Sequence, residues 1–584
     1  MRYKYRFLVL ALCLLACLQA QDITKGSITG IVRDASGAVV PGATVKLESP
    51  FGDRTTTTNG GGGYTFTGLV VGTGYSVTVS QAGFSAASER NLQVGINQTT
   101  TADINLEVGT AAQSVDVTAA SNSIDTTSTS IGANFDEGLF KNVPVGRNIA
   151  SVMAMAPGVA DSDGAGTSNP SINGASGLEN EYVINGANVT DPGFGGFGTY
   201  SRVYGSLGNG INFDFIQEVQ VQTGGFEAQY GEALGGIVNV VTKSGTNQFH
   251  GDIFGYFQPE QFEATRTNAN PLLVSKTDYL VHQSSIDYGA DAGGRILKDK
   301  LFWYGGFNPL INGTYKEADP FYANYALGVI DRKLTTYDYT GKLDWNLGTK
   351  HQFEGSVFGD PSSSPMTFNS PLSTVPAPGP VDTSVESKFS YGTRTWTGRY
   401  NGTFTPNWAV TVNYSNFYNS FTNTPLENGY QIVDNTAVQA GTGGSITYGG
   451  IGFNEASVSK VNQMAVSSNH IFRLWGGHNI TYGYQFEDDI YNDIYRYTGA
   501  PFQLPNLPEL GPAAGQTVSG AAFTRQYQTN AAGQPELNLP IVLVFTRGNY
   551  SPPTVATDTR YNSGYFQDSW TFGRLTIKPG IRFE

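Results

Sequence analysis

Cysteine is almost absent: the 584 residues contain two, Cys13 and Cys17, both inside the first twenty positions. Those positions have the order of an export signal, with Arg2, Lys4 and Arg6 ahead of an apolar stretch from Phe7 to Leu18 and a cleavage site at Leu18-Gln19-Ala20. Removal of residues 1–20 leaves a chain without a thiol, which excludes disulfides, thiolate metal sites and cysteine nucleophiles. An alternative processing stays open, because Leu14-Leu15-Ala16-Cys17 would place a lipidated Cys17 at the mature N-terminus. Beyond this segment no run approaches the roughly 18 apolar residues of a spanning helix. A membrane protein of this composition therefore has to be a barrel, the other structure that satisfies every backbone polar group in lipid.

Charge and histidine are also scarce. Charged residues make up 14% of the chain, and the five histidines, His250, His282, His351, His470 and His478, are scattered without metal-ligand spacing. Removing the leader takes three of the 34 basic residues and none of the 48 acidic ones, leaving −17. Such a field repels nucleic acid, so no nucleic-acid partner is expected. No Gly-x-Ser-x-Gly, His-Glu-x-x-His or cysteine-nucleophile pattern is present, so no catalytic residue, metal or cofactor is expected, and no enzyme. What is abundant is glycine (73), tyrosine (32) and phenylalanine (34), the composition of a mainly β protein, in a chain too long for one core.

Residues 27–109 read as a small sandwich. Ile28, Gly30 and Val32 alternate with polar neighbours, as do Tyr75, Val77 and Val79, with Gly, Pro and Asn-Gly turns between strands. From Thr110 to Ser130 the composition turns to Ala, Ser and Thr, a linker. Inside it Gln113 to Ala119 is extended and β-prone. After Phe249 long alternating strands appear: Trp396, Gly398, Tyr400, Gly402 and Phe404 oppose Thr395, Thr397, Arg399, Asn401 and Thr403, then Thr405-Pro406-Asn407 turns into Trp408, Val410, Val412 and Tyr414. Lys342 and Asp344 fall on the polar face of a similar strand. Short turns alternate with long connections at 359–387 and 495–558, a barrel arrangement.

The stretch from Ile216 to Gly251 is the most informative. Ile216, Val219 and Val221 mark one strand, and Ile237, Val238, Val240 and Val241, interrupted by Asn239, a second that is buried on both faces. Gly224-Gly225, Gly231 and Gly235-Gly236 lie between them. Spacing alone also fits an ordinary strand-turn-strand of a soluble α/β domain. The whole string, above all Glu227-Ala228-Gln229-Tyr230-Gly231 and Val240-Val241-Thr242-Lys243-Ser244-Gly245-Thr246-Asn247, resembles the end of the plug domain of TonB-dependent outer-membrane receptors. Asn142-Val-Pro-Val-Gly146-Arg147-Asn148 and Met155-Ala-Pro157-Gly158-Val159 resemble that family's first plug helix, which Pro157-Gly158 would end. Ile172-Asn-Gly174 and Glu181 to Pro192 resemble its two central plug strands, with Asn185 where the family usually has aspartate, and Phe194 to Gly198 reads as a loop. Gly30-Ile-Val-Arg-Asp34, Pro41-Gly-Ala-Thr-Val45 and Asn59 to Phe66 resemble the carboxypeptidase regulatory-like domain, a transthyretin-like module. Tyr565 to Trp570 and Leu575 to Glu584 resemble a mid-barrel hairpin of the Oar-like subgroup.

The resemblance implies a signal peptide at 1–20, a carboxypeptidase regulatory-like β-sandwich at 21–109, a linker at 110–129, a mixed α+β plug at 130–248, and the N-terminal part of an antiparallel transmembrane β-barrel at 249–584. About 22 strands close such a barrel. Residues 250–584, at about 25 per strand with its connections, supply roughly 13, so the end at Glu584 resembles a truncation. Val115, Asp116, Val117 and Thr118 resemble a TonB box, the strand offered edge-on to a periplasmic partner, although the same residues also read as the last strand of the sandwich or the first of the plug. Gly146, Arg147, Asn148, Asn185, Gly186, Tyr230, Gly231, Gly235 and Gly236 are the plug motif residues. The implied partners are a TonB-type energy-coupling protein, outer-membrane lipid and an extracellular ligand such as an oligosaccharide, peptide or chelate. An adhesin that displays the sandwich on a barrel anchor is the competing expectation.

Overall fold

The computed structural model describes residues 23–109, 114–118, 129–160, 169–201, 205–208, 210–262, 279–317, 330–365, 386–405, 407–434, 446–448, 450–503, 515, 517–519, 522–529, 535–545, 554–573 and 575–584. The expected export signal, with Cys13 and Cys17, and most of the expected linker lie outside the described residues.

Nine short strands come first: β1 (Gly26–Asp34), β2 (Thr44–Glu48), β3 (Arg54–Thr57), β4 (Gly63–Leu69), β5 (Gly72–Ser80), β6 (Ala86–Val94), β7 (Thr99–Thr101), β8 (Ile104–Leu106) and β9 (Ser114–Thr118). Period-2 patterning sends Ile28, Val32, Val45, Leu47, Val77 and Val79 inward, each at 0% exposure, and their neighbours outward. β1 pairs with β4 on one side and with β7 and β8 on the other; the second sheet runs β3-β2-β5-β6-β9. The two apolar faces close on one core, a sandwich. β9 lies parallel to β6, with Ala86 opposite Ser114 and Arg90 opposite Thr118.

The middle of the chain carries β10 (Ile131–Asp136), α1 (Glu137–Phe140), α2 (Ile149–Met153), β11 (Val159–Ala160), β12 (Ser171–Ile172), β13 (Glu181–Ile184), β14 (Ala187–Asn188), β15 (Thr199–Ser201), β16 (Gly205–Leu207), β17 (Ile216–Gly224) and β18 (Ile237–Thr242). Five of these strands form one sheet in the order β10-β17-β18-β13-β14. β18 is buried along all six residues, as its apolar run predicts, and pairs antiparallel with β17 and parallel with β13. β12 departs from expectation: it pairs with β11, outside the central sheet. α2 ends at Met153, ahead of Pro157. Tighter bonds, from Met155 N–H to Val152 O (3.1 Å) and Ala156 N–H to Met153 O (2.9 Å), wind the chain to Gly158, whose φ of +82° turns it away.

Long strands follow: β19 (His250–Gln258), β20 (Tyr279–Leu297), β21 (Leu301–Glu317), β22 (Ile330–Leu347), β23 (His351–Gly359), β24 (Ser362–Ser364), β25 (Ser387–Thr405), β26 (Trp408–Pro425), β27 (Gln431–Asp434), β28 (Ile446–Tyr448), β29 (Phe453–Arg473), β30 (Gly477–Tyr497), β31 (Pro501–Gln503), β32 (Thr517–Ser519), β33 (Ala522–Thr529), β34 (Pro535–Phe545), β35 (Thr554–Phe572), β36 (Leu575–Ile577) and β37 (Gly580–Phe583). Thirteen form a single antiparallel sheet whose path runs from β19 to β36 through β20, β21, β22, β23, β25, β26, β29, β30 and β35. β27, β28, β33 and β34 make a separate small sheet within the long connections.

The wall has two faces. Trp345, Trp396, Tyr414, Tyr484 and Phe566 are exposed, whereas Lys342, Asp344, Thr395, Thr397 and Arg399 are buried. The buried face meets the five-stranded unit, so the polar residues of the alternating strands face that unit and not solvent. Aromatic and histidine rings cluster near the short turns, with Trp345 to Phe353 at 5.5 Å, Phe404 to Trp408 at 4.9 Å and His478 to Trp570 at 5.5 Å between centres. This is the interfacial girdle of a barrel wall. The sandwich sits at that same end: Asn247 N–H donates to Pro50 O (2.7 Å) and Asn346 Nδ2 to Phe51 O (2.9 Å). No described helix is long and apolar enough to cross a membrane.

Candidate functional site

The contact between the five-stranded unit and the wall is where the singled-out residues gather. Gly146 precedes Arg147 and Asn148 at the start of α2. Asn148 caps the helix, its Oδ1 accepting from Ser151 N–H (2.8 Å). Arg147 reaches Asp214 Oδ2 (2.5 Å) and, across the lumen, Asp287 Oδ2 on β20 (3.2 Å), while its guanidinium lies 3.2 Å above the centre of the Tyr256 ring on β19. Ion pair, fork geometry and ring stacking together tie α2 to the wall. Burial opposes the charge on Arg147, but the bond to Asp214 outweighs it and holds the guanidinium above its ordinary range.

Asn185 and Gly186 form the turn between β13 and β14, with φ of +48° and +77°. The Asn185 amide works in both directions: Nδ2 donates to Thr242 Oγ1 (3.0 Å), and Oδ1 accepts from Thr242 N–H (3.0 Å). A carboxylate could only accept, so the departure from the expected aspartate matches a site that uses a donor. Arg399 Nη2 donates to Asn185 O (2.7 Å), and Asn413 Nδ2 to Gly186 O (2.8 Å). A Cβ on Gly186 would stand 2.1 Å from Arg399 Nη2 and displace that guanidinium, and the φ of +77° is one that a side chain rarely adopts, so the backbone angle favours glycine.

Tyr230, Gly231, Gly235 and Gly236 belong to the connection between β17 and β18. Tyr230 is buried, with its hydroxyl accepting from Gln222 Nε2 (3.3 Å). Gly236 donates its N–H to Asn180 Oδ1 (2.9 Å), and a Cβ there would meet Ile172 Cδ1 at 2.5 Å. Gly231 lies beside Arg582 and Glu584, and Gly235 beside Asn180. These residues hold one connection in place; they do not converge with Arg147 on one pocket.

Several residues of the site lie inside the quoted plug strings, but their partners carry no signature in the sequence. Lys243 Nζ joins Glu137 Oε1 (3.0 Å) to Asp291 Oδ2 on the wall (3.3 Å). Asp191 accepts from Ser459 Oγ on β29 (2.8 Å), and burial pushes its carboxyl up. Glu218 Oε1 accepts from Ile96 N–H of the sandwich (2.8 Å) and from Asn134 Nδ2 (2.6 Å). Burial pushes the Glu218 carboxyl up to about 7 against these two bonds. Only the inward phase of the strands hinted at the wall partners. Among the described residues no group of three His, Cys, Asp or Glu side chains could hold a metal ion.

A family model described as outer membrane beta barrel domain matches residues 241–317 and 306–584, more than half of the chain. The TonB-dependent receptor plug domain matches residues 125–237, and the carboxypeptidase regulatory-like domain residues 27–107. The chain belongs to the TonB-dependent outer-membrane receptors. The five-stranded unit is the receptor's plug, and the long antiparallel sheet belongs to its barrel in the outer membrane. The TonB-dependent transporter Oar of Myxococcus xanthus is 28% identical over 375 residues, 58% of this receptor and 34% of that protein. The receptor thus spans about a third of the length of this curated relative. Among solved structures, the outer membrane transporter YddB from Escherichia coli superposes with a TM-score of 0.52 at 13% identity, over 77% of this receptor and 56% of that chain, a likeness of fold.

Proposed function

We propose that this receptor takes up a large or scarce extracellular ligand, an oligosaccharide, peptide or chelate, with energy supplied by a TonB-type partner. The reading is carried by the plug's seat: Arg147 and Lys243 bond it to β20, Asn185 to β25 and Asp191 to β29, so the plug is fastened across the inner face of the wall. A plug held in this way opposes free diffusion, and rearranging so many bonds calls for work delivered from outside the protein.

Val115–Thr118 is the proposed TonB box. As part of β9 it occupies the edge of the sandwich's second sheet and keeps one side for a partner strand. Val117→Pro removes a backbone donor from that strand. The expected outcome is loss of energy-dependent uptake with ligand binding to whole cells unchanged; unchanged uptake would overturn the assignment of the box.

A further inference from the structure

The residues that lead into the sandwich do not stay with it. Ile23, Thr24 and Lys25 run into the gap between plug and wall, where Thr24 is 1% and Lys25 6% exposed. Lys25 Nζ pairs with Glu354 on β23 and lies 3.8 Å from Asp344 Oδ1 on β22. Thr24 Oγ1 accepts from Arg399 on β25, and Ile23 O accepts from Asn239 Nδ2 on the central plug strand. Three residues thus touch wall and plug at once while covalently attached to the third domain.

They also lie between two cavities. The outer one, about 270 Å³, opens between the sandwich and the short-turn end of the wall, and Lys25, Arg54, Gln98, Gln352, Asn401 and Thr411 help to line it. The inner one, about 70 Å³, lies between plug and wall and is lined in part by Ile23, Arg399, Thr411, Asn413 and Ser467. Thr411 borders both, whereas Lys25 faces the outer cavity and Ile23 the inner. The segment is the partition, closed where Thr24 meets Arg399.

The charges suit a latch that opens. Arg399 Nη1 lies 3.2 Å and Lys342 Nζ 3.9 Å from Glu354 Oε1, and Asp344 is the second anion. Without Lys25 the buried wall group is two cations and two anions. Lys25 is a fifth charge, and its departure strands no uncompensated ion, the outcome that makes breaking a buried pair costly.

We propose that Ile23–Lys25 is a second gate of the receptor, supplied by the N-terminal domain, which closes a passage for hydrophilic solutes between the inner face of β25, β26 and β29 and the plug. It deepens the transport reading, on which it rests, by assigning the N-terminal domain a task in transport.

The test uses the full-length receptor in lipid vesicles with Ser467→Cys as a reporter, in a background where Cys13, Cys17 and any further cysteine are replaced by serine. A hydrophilic, membrane-impermeant methanethiosulfonate is added, and labelling is scored on protein that retains the heat-modifiable mobility of a folded barrel. Lys25→Glu, which adds a third anion beside Glu354 and Asp344, and the milder Lys25→Met are both expected to speed labelling severalfold, while Lys25→Arg keeps the parental rate. Parental rates in Lys25→Glu and Lys25→Met, or acceleration by Lys25→Arg as well, would overturn the gate. No cargo and no coupling partner enter this assay, so its failure is distinguishable from a failure of uptake.

Discussion

Glu218 shows how much one side chain can carry. It sits on β17 of the plug yet accepts a backbone N–H from Ile96 of the sandwich, and Gln220 Nε2 donates to Ile96 O two residues along (3.0 Å). Because its carboxyl rises from an ordinary 4.5 to about 7 in the fold, the folded state holds the proton more tightly. The stability so gained is complete below the unfolded value and is lost as pH rises through about 7. Glu218→Gln keeps a hydrogen-bonding oxygen and removes the titration, so its melting midpoint should fall less steeply than wild type between pH 5 and pH 8, and should exceed it at the upper end. Gly186 is constrained in another way. Gly186→Ala places a side chain at φ +77° and against Arg399, and should destabilise the plug by about 1–3 kcal/mol, read by chemical denaturation or by limited proteolysis of the plug.

Elements were legible where a period is imposed by a solvent boundary. The hairpin of β25 and β26 has water-filled or plug-filled space on one side and lipid on the other, and its alternation of Trp396, Tyr400 and Phe404 with Thr395, Thr397 and Arg399 states which is which. β18 was legible for the opposite reason: both faces are buried, so the alternation disappears. What the alternation cannot state is the partner. Arg399 reads as an inward polar residue, but its bonds to Thr24 and Asn185 join positions more than 200 apart in the chain, and no local pattern encodes that. Ser114–Thr118 is a related case, since its β character is plain and its pairing with β6 is a tertiary matter. The lipid face gives the test at this scale. Trp396, 46% exposed midway along β25, should not tolerate a charge: Trp396→Arg should cost about 1–4 kcal/mol in refolding into a bilayer.

At the scale of the molecule three bodies meet at one end of the barrel wall. The sandwich bonds to the short turns through Pro50 and Phe51, to the plug through Ile96, and to the lumen through Thr24 and Lys25. The chain then leaves the sandwich at β9 and re-enters the plug at β10, so the two domains are coupled both by contacts and by a short covalent tether. β10 is an edge strand of the plug sheet, antiparallel to β17, with Ile131 opposite Gly224 at the entering end and Asp136 opposite Glu218 at the far end. Tension drawn in through Ile131 across the sheet would load these pairs one after another, as a zipper opens, whereas the same tension along β10 would load them together. A modest sustained pull of the first kind peels the plug's outermost strand, and with it goes Asn134, the plug side chain that shares Glu218 Oε1 with Ile96 of the sandwich.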